Sequence, residues 1–172
     1  CDPSELDFCG NDGWCGKAAL QLDPNDENPV ATVNIGFGLP RALVADGVSV
    51  ASVADINAYG MLTGMEQQAQ RNKILERFAK MYAPITGSGP VMEYIGKTGI
   101  DALKGADIIK EAPAQYLSEV EYADNPVAGR LKNVAQVHLA GLGARVLYTE
   151  QGGFDTHASQ ATAHPKLWSD VS

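Results

Sequence analysis

Basic residues are scarce in this chain. Its 172 residues include 13 Lys and Arg against 21 Asp and Glu, a formal net charge of −8. A nucleic-acid-binding protein needs clustered cations to neutralise phosphates, whereas the loose group from Arg71 to Lys80 has the spacing of a solvated helix face. The charge balance therefore argues against a nucleic-acid partner. The same acidity disfavours binding to anionic membranes.

Long hydrophobic runs are also missing. No run approaches the roughly 20 apolar residues that cross a bilayer as a helix, so we expect no transmembrane segment. The chain lacks the G-x-S-x-G turn of serine hydrolases, the P-loop, and a dinucleotide G-x-G-x-x-G after a strand. The segment GFGLP, Gly36 to Pro40, is too short for a dinucleotide loop and runs into proline. These absences leave serine-hydrolase and nucleotide-binding functions without support.

Cysteine is confined to the first fifteen residues, at Cys1, Cys9 and Cys15. The spacing contains no C-x-x-C and no nearby His, so it is not typical of zinc. The turn-forming residues Gly10 to Gly13 lie between Cys9 and Cys15, and a turn there would bring the two sulfurs within bonding distance. Two interpretations stay open, a Cys9–Cys15 disulfide or three free thiols near a flexible terminus. This cysteine usage favours an exported, already processed chain over a cytosolic one.

The remaining sequence alternates apolar strands with amphipathic helices. Residues 1–30 are rich in turn signals and are predicted to be an irregular, cysteine-containing segment. Beyond it, period-2 and helical patterns predict strands over Val30–Phe37, Val48–Val53 and Ala144–Thr149, and helices over Met65–Tyr82, Val91–Glu111, Pro126–Leu142 and from near Ser159 to Val171. This order predicts a single α/β domain over residues 1–172, with a mostly parallel sheet flanked by helices in 30–172.

Two features resemble ligand sites but have simpler explanations. Leu22 to Pro29 alternates acidic and amide side chains like half a calcium loop, yet it lacks the glycine and distant Glu of an EF-hand. A solvated acidic turn is the expectation there. His138 shares the predicted apolar face of its helix with Val134, so we expect a core histidine rather than a ligand.

The segment after the last predicted strand, EQGGFDTHASQ, concentrates the chemistry-bearing residues. Gly152 and Gly153 allow the backbone to turn sharply and approach a ligand closely. Ligands of parallel α/β sheets bind beyond the carboxyl ends of the strands, where this loop delivers Asp155 and His157. The sequence therefore predicts a site in this loop.

A carboxylate and an imidazole together suit Zn²⁺ or a similar divalent ion. His164 lies seven residues after His157 and is a weaker third ligand, reaching back from the next helix. Three such ligands would leave an open position for water or substrate. The alternative is that Asp155 caps the following helix and His157 is merely its partner, with no metal.

The segment LKNVAQVHLAGLGARVLYTEQGGFDTHASQ resembles the hallmark of a bacterial family known as domain of unknown function 1501, whose members are mostly exported by the twin-arginine route. The pattern is a helix ending in AGLG, an apolar strand, then Gly-Gly-aromatic-Asp-Thr-His-x-x-Gln. Upstream, DGWCGKAA and VNIGFGLPRALVADG resemble two further family segments in the same order. The resemblance extends over most of the chain, and GGFDTH is its most specific part.

The resemblance implies an alkaline-phosphatase and sulfatase-like superfamily, in which a mostly parallel sheet lies between helices. Hydrolases of that superfamily hold one or two divalent metals with Asp and His. By that analogy Asp155 and His157 are metal ligands, Gly152 and Gly153 shape the loop, and the protein is periplasmic, at the cell surface or extracellular.

Family members are much longer than this chain, so the resemblance implies an incomplete fragment of the domain. The nucleophile and the remaining ligands would then lie outside it. We expect the chain to need the missing remainder of the same protein, or partner chains, for stability. Two functions stay open. One is a metal-dependent hydrolase of phosphate or sulfate esters, inactive as the isolated chain; the other is a non-catalytic cell-surface structural or binding protein that keeps the fold.

Overall fold

The structure, a computed structural model, describes residues 12–59, 68–82 and 89–172. Short strands and longer helices alternate along these segments. In chain order they are α1 (Trp14–Leu22), β1 (Thr32–Ile35), a 3₁₀ turn (Arg41–Leu43), β2 (Ala51–Val53), α2 (Gln68–Tyr82), α3 (Pro90–Lys110), α4 (Ala112–Gln115), α5 (Pro126–Leu139), β3 (Val146–Thr149) and α6 (Gln160–Val171).

The three strands form one parallel sheet in the order β2-β1-β3. In the register, Val33 of β1 lies opposite Ala51 of β2 on one side and Leu147 of β3 on the other. The predicted α/β class and the parallel sheet are therefore confirmed. The finer alkaline-phosphatase-like architecture extends beyond these three strands and stays a prediction.

One face of the sheet is apolar and carries the main core. Because side chains alternate along a strand, Val33 and Ile35 of β1 point to the same face as their register partners Ala51 and Val53. Ile109 of α3, Ala112 of α4 and Val137 of α5 complete one buried cluster with them. These helices cover that face, as the flanking-helix prediction requires.

The opposite face of the sheet carries buried polar side chains on its central strand. Thr32 and Asn34 of β1 are fully buried there. The Asn34 side-chain amide donates to Ser52 Oγ of β2 at 2.9 Å and to the Gly38 carbonyl at 3.0 Å. A buried amide is tolerated only when it is hydrogen-bonded, so these contacts hold the GFGLP loop against the sheet.

The ends of α5 follow the capping signals in the sequence. The Asn125 side chain accepts a hydrogen bond from the Ala128 backbone N–H at 2.8 Å, which satisfies one of the free donors of the first turn. Past the helix, Gly143 has a φ of +78° and lies so close to Asn28 that a Cβ would be 2.7 Å from the Asn28 amide nitrogen. Asn28 donates to the Leu142 carbonyl at 3.1 Å, so the glycine allows this link.

The prediction that residues 1–30 are irregular is wrong for residues 14–22, whereas residues 23–30 form turns and irregular structure. Trp14–Leu22 is an α-helix, and it buries Cys15, Gly16 and Ala19 on one face. These small residues at i, i+1 and i+4 give almost no hydrophobic signal in the sequence. A tertiary contact fixes the start of the helix instead, because the Gly13 N–H donates a hydrogen bond to the Val44 carbonyl at 2.6 Å.

His138 is exposed, so the expectation of a core histidine is also wrong. Its neighbour Val137 is fully buried in the core instead. Successive helical residues differ by about 100° in direction, so a small rotation of the helix exchanges which of two adjacent residues faces the sheet.

The acidic turn is not simply solvated. Asp26 accepts hydrogen bonds from the Ser49 backbone N–H at 2.9 Å and from Ser49 Oγ at 2.7 Å. It also pairs with Lys97 of α3, whose Nζ lies 2.9 Å from Asp101 Oδ2. Burial raises the pKa of Asp26, but the hydrogen bonds from Lys97 and Ser49 outweigh it and hold the pKa below its ordinary value of 3.8.

We predict that Ile109→Ala lowers the free energy of unfolding by about 2–5 kcal/mol, because it leaves a cavity in the core. Ile95→Ala, on the same helix but 45% exposed, is the matched control and should cost about 1 kcal/mol or less. Urea denaturation of both variants measures the difference. Equal losses would show that α3 does not pack through Ile109.

We predict that Lys97→Met lowers the melting temperature most between about pH 5 and pH 9. The pKa of Asp26 is lowered on folding, so this group stabilises the fold above pH 3.8. The effect is lost as the pH falls through the pKa of Asp26 in the folded protein. For Lys97, burial lowers the pKa, but Asp101 and Asp26 raise it above 10.5 overall. The stabilisation from Lys97 is complete below pH 10.5 and is lost as the pH rises through the pKa of Lys97 in the folded protein.

The control for this pH series is Lys104→Met, which removes an exposed lysine from the same helix. Its melting temperature should follow the unmodified protein in parallel from pH 3 to 11. If the deficit of Lys97→Met is the same at every pH, the ion pairs are not its cause.

Candidate functional site

The carboxyl ends of β1 and β3 lie side by side, at the position where this topology favours a ligand site. From β1 the chain moves to β2 on one side, then crosses to β3 on the other side. A parallel sheet whose connections diverge in this way has a crevice beyond the carboxyl ends of the two strands, where ligands bind. The GFGLP loop leaves β1 at this crevice, and the GGFDTH loop leaves β3.

Two contacts fix the start of the GGFDTH loop. Thr149, the last residue of β3, donates from Oγ1 to the Ile35 carbonyl at the end of β1, at 2.8 Å. The Arg130 guanidinium of α5 donates to the Glu150 carbonyl. The loop therefore begins from a position held by both the central strand and the preceding helix.

The next residues of the loop fold back onto α6. Gly153 has a φ of +93°, a conformation that L side chains rarely adopt. Phe154 then packs edge-to-face on Trp168, with ring centroids 5.1 Å apart, and on His164, at 5.9 Å. The turn therefore depends on Gly153, whereas Gly152 has no positive φ, and the loop-shaping role of the pair stays a prediction.

Asp155 and His157 come together in this loop, as their spacing suggested. His157 Nε2 lies 3.2 Å from Asp155 Oδ2, and the side chains are 90% and 86% exposed respectively. Asp155 does not cap α6, because the N-cap residue is Ser159 and it makes no side-chain cap hydrogen bond. The capping alternative is therefore wrong, while hydrogen bonding between the two side chains remains.

His164 has a different partner. Its Nε2 lies 2.9 Å from the Phe154 carbonyl oxygen, so the ring is engaged with the backbone of the loop. Within residues 12–59, 68–82 and 89–172, no three His, Cys, Asp or Glu side chains are grouped in a way that could hold a metal. The structure thus joins two of the three predicted ligands. Metal binding by Asp155, His157 and His164 stays a prediction.

The predicted Cys9–Cys15 disulfide falls partly outside the described residues. Cys9 lies outside them, whereas Cys15 is buried in α1. The pairing therefore stays a prediction.

Sequence reasoning missed three buried oxygens near this edge of the sheet. Asn34 Oδ1, Gln151 Oε1 and Thr156 Oγ1 have no hydrogen-bond partner among the residues that the structure describes. The position of a Cβ on Gly36 would be 3.5 Å from Asn34 Oδ1, so this oxygen faces the carboxyl end of β1. Gln151 and Thr156 lie directly before and after the Gly-Gly-aromatic-Asp run. This position next to the motif is the sequence signal that could have marked them as site residues. All three can accept hydrogen bonds from a bound group or a water.

Comparison of the chain with protein-family models, curated proteins and solved structures finds no match. The resemblance to domain of unknown function 1501 accordingly stays an expectation from the GGFDTH segment. The geometry of the loop is the basis for any functional proposal.

We predict that Gly153→Ala destabilises the protein by about 1–2 kcal/mol, because alanine is strained at positive φ. A Cβ there would make an ordinary contact with Leu167 of α6, at 3.4 Å, so the cost comes from the backbone conformation. Gly152→Ala is the matched control, since its Cβ would enter open space, and it should change the unfolding free energy by about 0.5 kcal/mol or less. Urea denaturation of the two variants makes the comparison, and equal costs would contradict a special role for Gly153.

Proposed function

We propose that this chain supplies part of the metal site of an exported, divalent-metal-dependent hydrolase of phosphate or sulfate esters. The observation that carries the proposal is the Asp155–His157 contact, 3.2 Å between side chains in the loop beyond β3. It lies at the crevice where parallel α/β sheets bind their ligands. The resemblance of GGFDTH to an alkaline-phosphatase-like family supports the same activity.

The donor set fits such an ion. A carboxylate oxygen and an imidazole nitrogen are both ligands of Zn²⁺ and similar ions, and both groups here are exposed enough to turn toward one. Asp155 and His157 would hold the metal, and His164 would do so only by leaving the Phe154 carbonyl. Once bound, the ion would polarise the ester and stabilise the leaving oxygen. Catalytic zinc sites use three protein ligands, so further groups would come from outside the described residues.

Exposed apolar side chains support the proposal that other protein surfaces cover this chain. Phe37 is 80% exposed beside the crevice, and Leu117 is 93% exposed between α4 and α5. Trp14, Leu139 and Trp168 are also exposed. Large apolar side chains exposed to this degree are available for contact with another protein surface. We propose that the remainder of the same protein, or partner chains, provide that contact.

A non-catalytic cell-surface structural or binding protein is the second candidate. The strong exposure of Asp155 and His157 favours it, because a catalytic pair is ordinarily enclosed. In this case the two side chains stabilise the loop by their mutual contact and hold no metal.

No helix in the described part of the chain has the length and apolar character of a membrane span.

We predict that protein purified without chelator, in its longest natural form, contains a divalent metal and that Asp155→Ala and His157→Ala each lower metal affinity about tenfold or more. Loss of even an outer partner of a metal ligand costs about 10- to 100-fold, so loss of a ligand should cost at least as much. Elemental mass spectrometry and competition with a chelator provide the measurement.

His138→Ala is the matched control, because it removes another exposed histidine from outside the loop. It should leave the metal content unchanged. A metal-free protein would eliminate the hydrolase proposal and favour the structural one. Metal retained by both Asp155→Ala and His157→Ala would place the site elsewhere in the protein.

A further inference from the structure

A second candidate site lies at the opposite edge of the sheet from the GGFDTH loop. A cavity of about 180 Å³ opens beside the residues that lead into β1 and β2, against α3. Its lining is mostly apolar and includes Leu43, Val48, Val50, Ala51, Tyr59 and Tyr94. Apolar cavities with a few convergent polar groups are the usual form of small-molecule sites.

The polar groups of this cavity are concentrated at one place. Ser49, Thr98 and Asp101 line it, and Asp101 is the charged member. Asp101 Oδ2 is 2.9 Å from Lys97 Nζ and 3.3 Å from Ser49 Oγ. Both contacts are made by Oδ2, and Asp101 is the carboxylate that lines the cavity. A carboxylate has two oxygens and about four lone-pair sites, so it can accept a further donor.

The charges around Asp101 do not cancel. Lys97 is shared between two carboxylates, Asp26 and Asp101, so the cluster carries one excess negative charge. Among the described residues, Lys97 is the cation that the ion pairs of this cluster contain, and the residues that line the cavity include no Lys, Arg or His. An anionic ligand would be repelled here, whereas an ammonium group would gain a charge-assisted hydrogen bond.

The size and the lining restrict the rest of the ligand. An apolar cavity of about 150 Å³ holds benzene, so this one fits a single ring or a short alkyl chain. Tyr59 and Tyr94 line the cavity, and aromatic side chains favour contact with both a ring and a cation. Nucleotides and peptides are too large for this volume.

We infer that the cavity between α3 and the segment before β2 binds a small primary ammonium compound with an aryl or short alkyl group, with Asp101 receiving the ammonium. Asp155 and His157 take no part in this site. It is independent of the proposed hydrolase activity, because no residue that lines it belongs to β3 or to the GGFDTH loop.

The test is a titration of the ¹⁵N-labelled protein with benzylammonium, followed by two-dimensional NMR. Benzyl alcohol is the neutral probe of nearly the same shape. We expect saturable shifts at the amides of Ser49, Thr98 and Asp101 with benzylammonium. Benzyl alcohol should bind the same place about tenfold more weakly, since it lacks the charge-assisted hydrogen bond.

Two variants separate the charge from the cavity itself. Asp101→Asn should lower benzylammonium affinity about tenfold and leave benzyl alcohol affinity unchanged. Thr98→Phe, at an exposed position of α3 that lines the cavity, should block both probes. Glu119→Gln removes a remote exposed carboxylate and controls for net charge.

The inference is overturned if neither probe gives saturable shifts at these amides. Equal affinity of the two probes, or an unchanged benzylammonium affinity in Asp101→Asn, overturns the role of Asp101. Circular dichroism of each variant shows whether it is folded, so that a loss of the amide shifts can be attributed to a loss of binding. A second neutralising variant, Asp101→Ser, replaces Asp101→Asn if the latter does not fold.

Discussion

The burial of β1 between two parallel neighbours is the constraint on which the other features depend. All four of its residues are buried, and it pairs with β2 on one side and β3 on the other. Its Val33 and Ile35 face the helices, whereas Thr32 and Asn34 face the other way. Because β2 and β3 lie on opposite sides of it, the crevice at its carboxyl end and the cavity beside β2 both take their positions from this strand.

The polar residues of the fold act mainly as links between segments far apart in the chain. Asn28 joins the acidic turn to the end of α5, Asp26 joins it to α3, and Asn34 joins β1 to β2. Each link satisfies buried or half-buried groups that would otherwise lose their hydrogen bonds to water. The three strands are short and make few backbone hydrogen bonds to one another. These links therefore help to fix the relative positions of the segments, as the backbone hydrogen bonds do in longer strands.

Much of the fold was predictable from local patterns, and the reasons are physical. The strands and the larger helices carry strong periodicity, and Asn125-Pro126 marks the start of α5 by cap chemistry. Helix α1 was not predictable, because its buried face consists of small residues. The role of Asp26 depends on Lys97, which lies 71 residues away, and no local pattern contains that information.

The same distinction applies to the candidate site. The spacing of Asp155 and His157 indicated their contact, since residues two positions apart in a tight loop lie close together in space. The position of His164 depends on how α6 packs, and the sequence contains no direct signal for its hydrogen bond to the Phe154 carbonyl. The cavity beside Asp101 arises from three separate segments and could be found only in the folded chain.

The contact between Phe154 and Trp168 has a practical consequence. Trp168 lies on α6, while Phe154 belongs to the loop that carries Asp155 and His157, so the indole environment depends on where the loop is. The chain contains two tryptophans, and the other, Trp14, lies in α1. The emission of Trp168 is therefore a built-in optical reporter of loop position, which allows the loop to be followed in solution without an attached label.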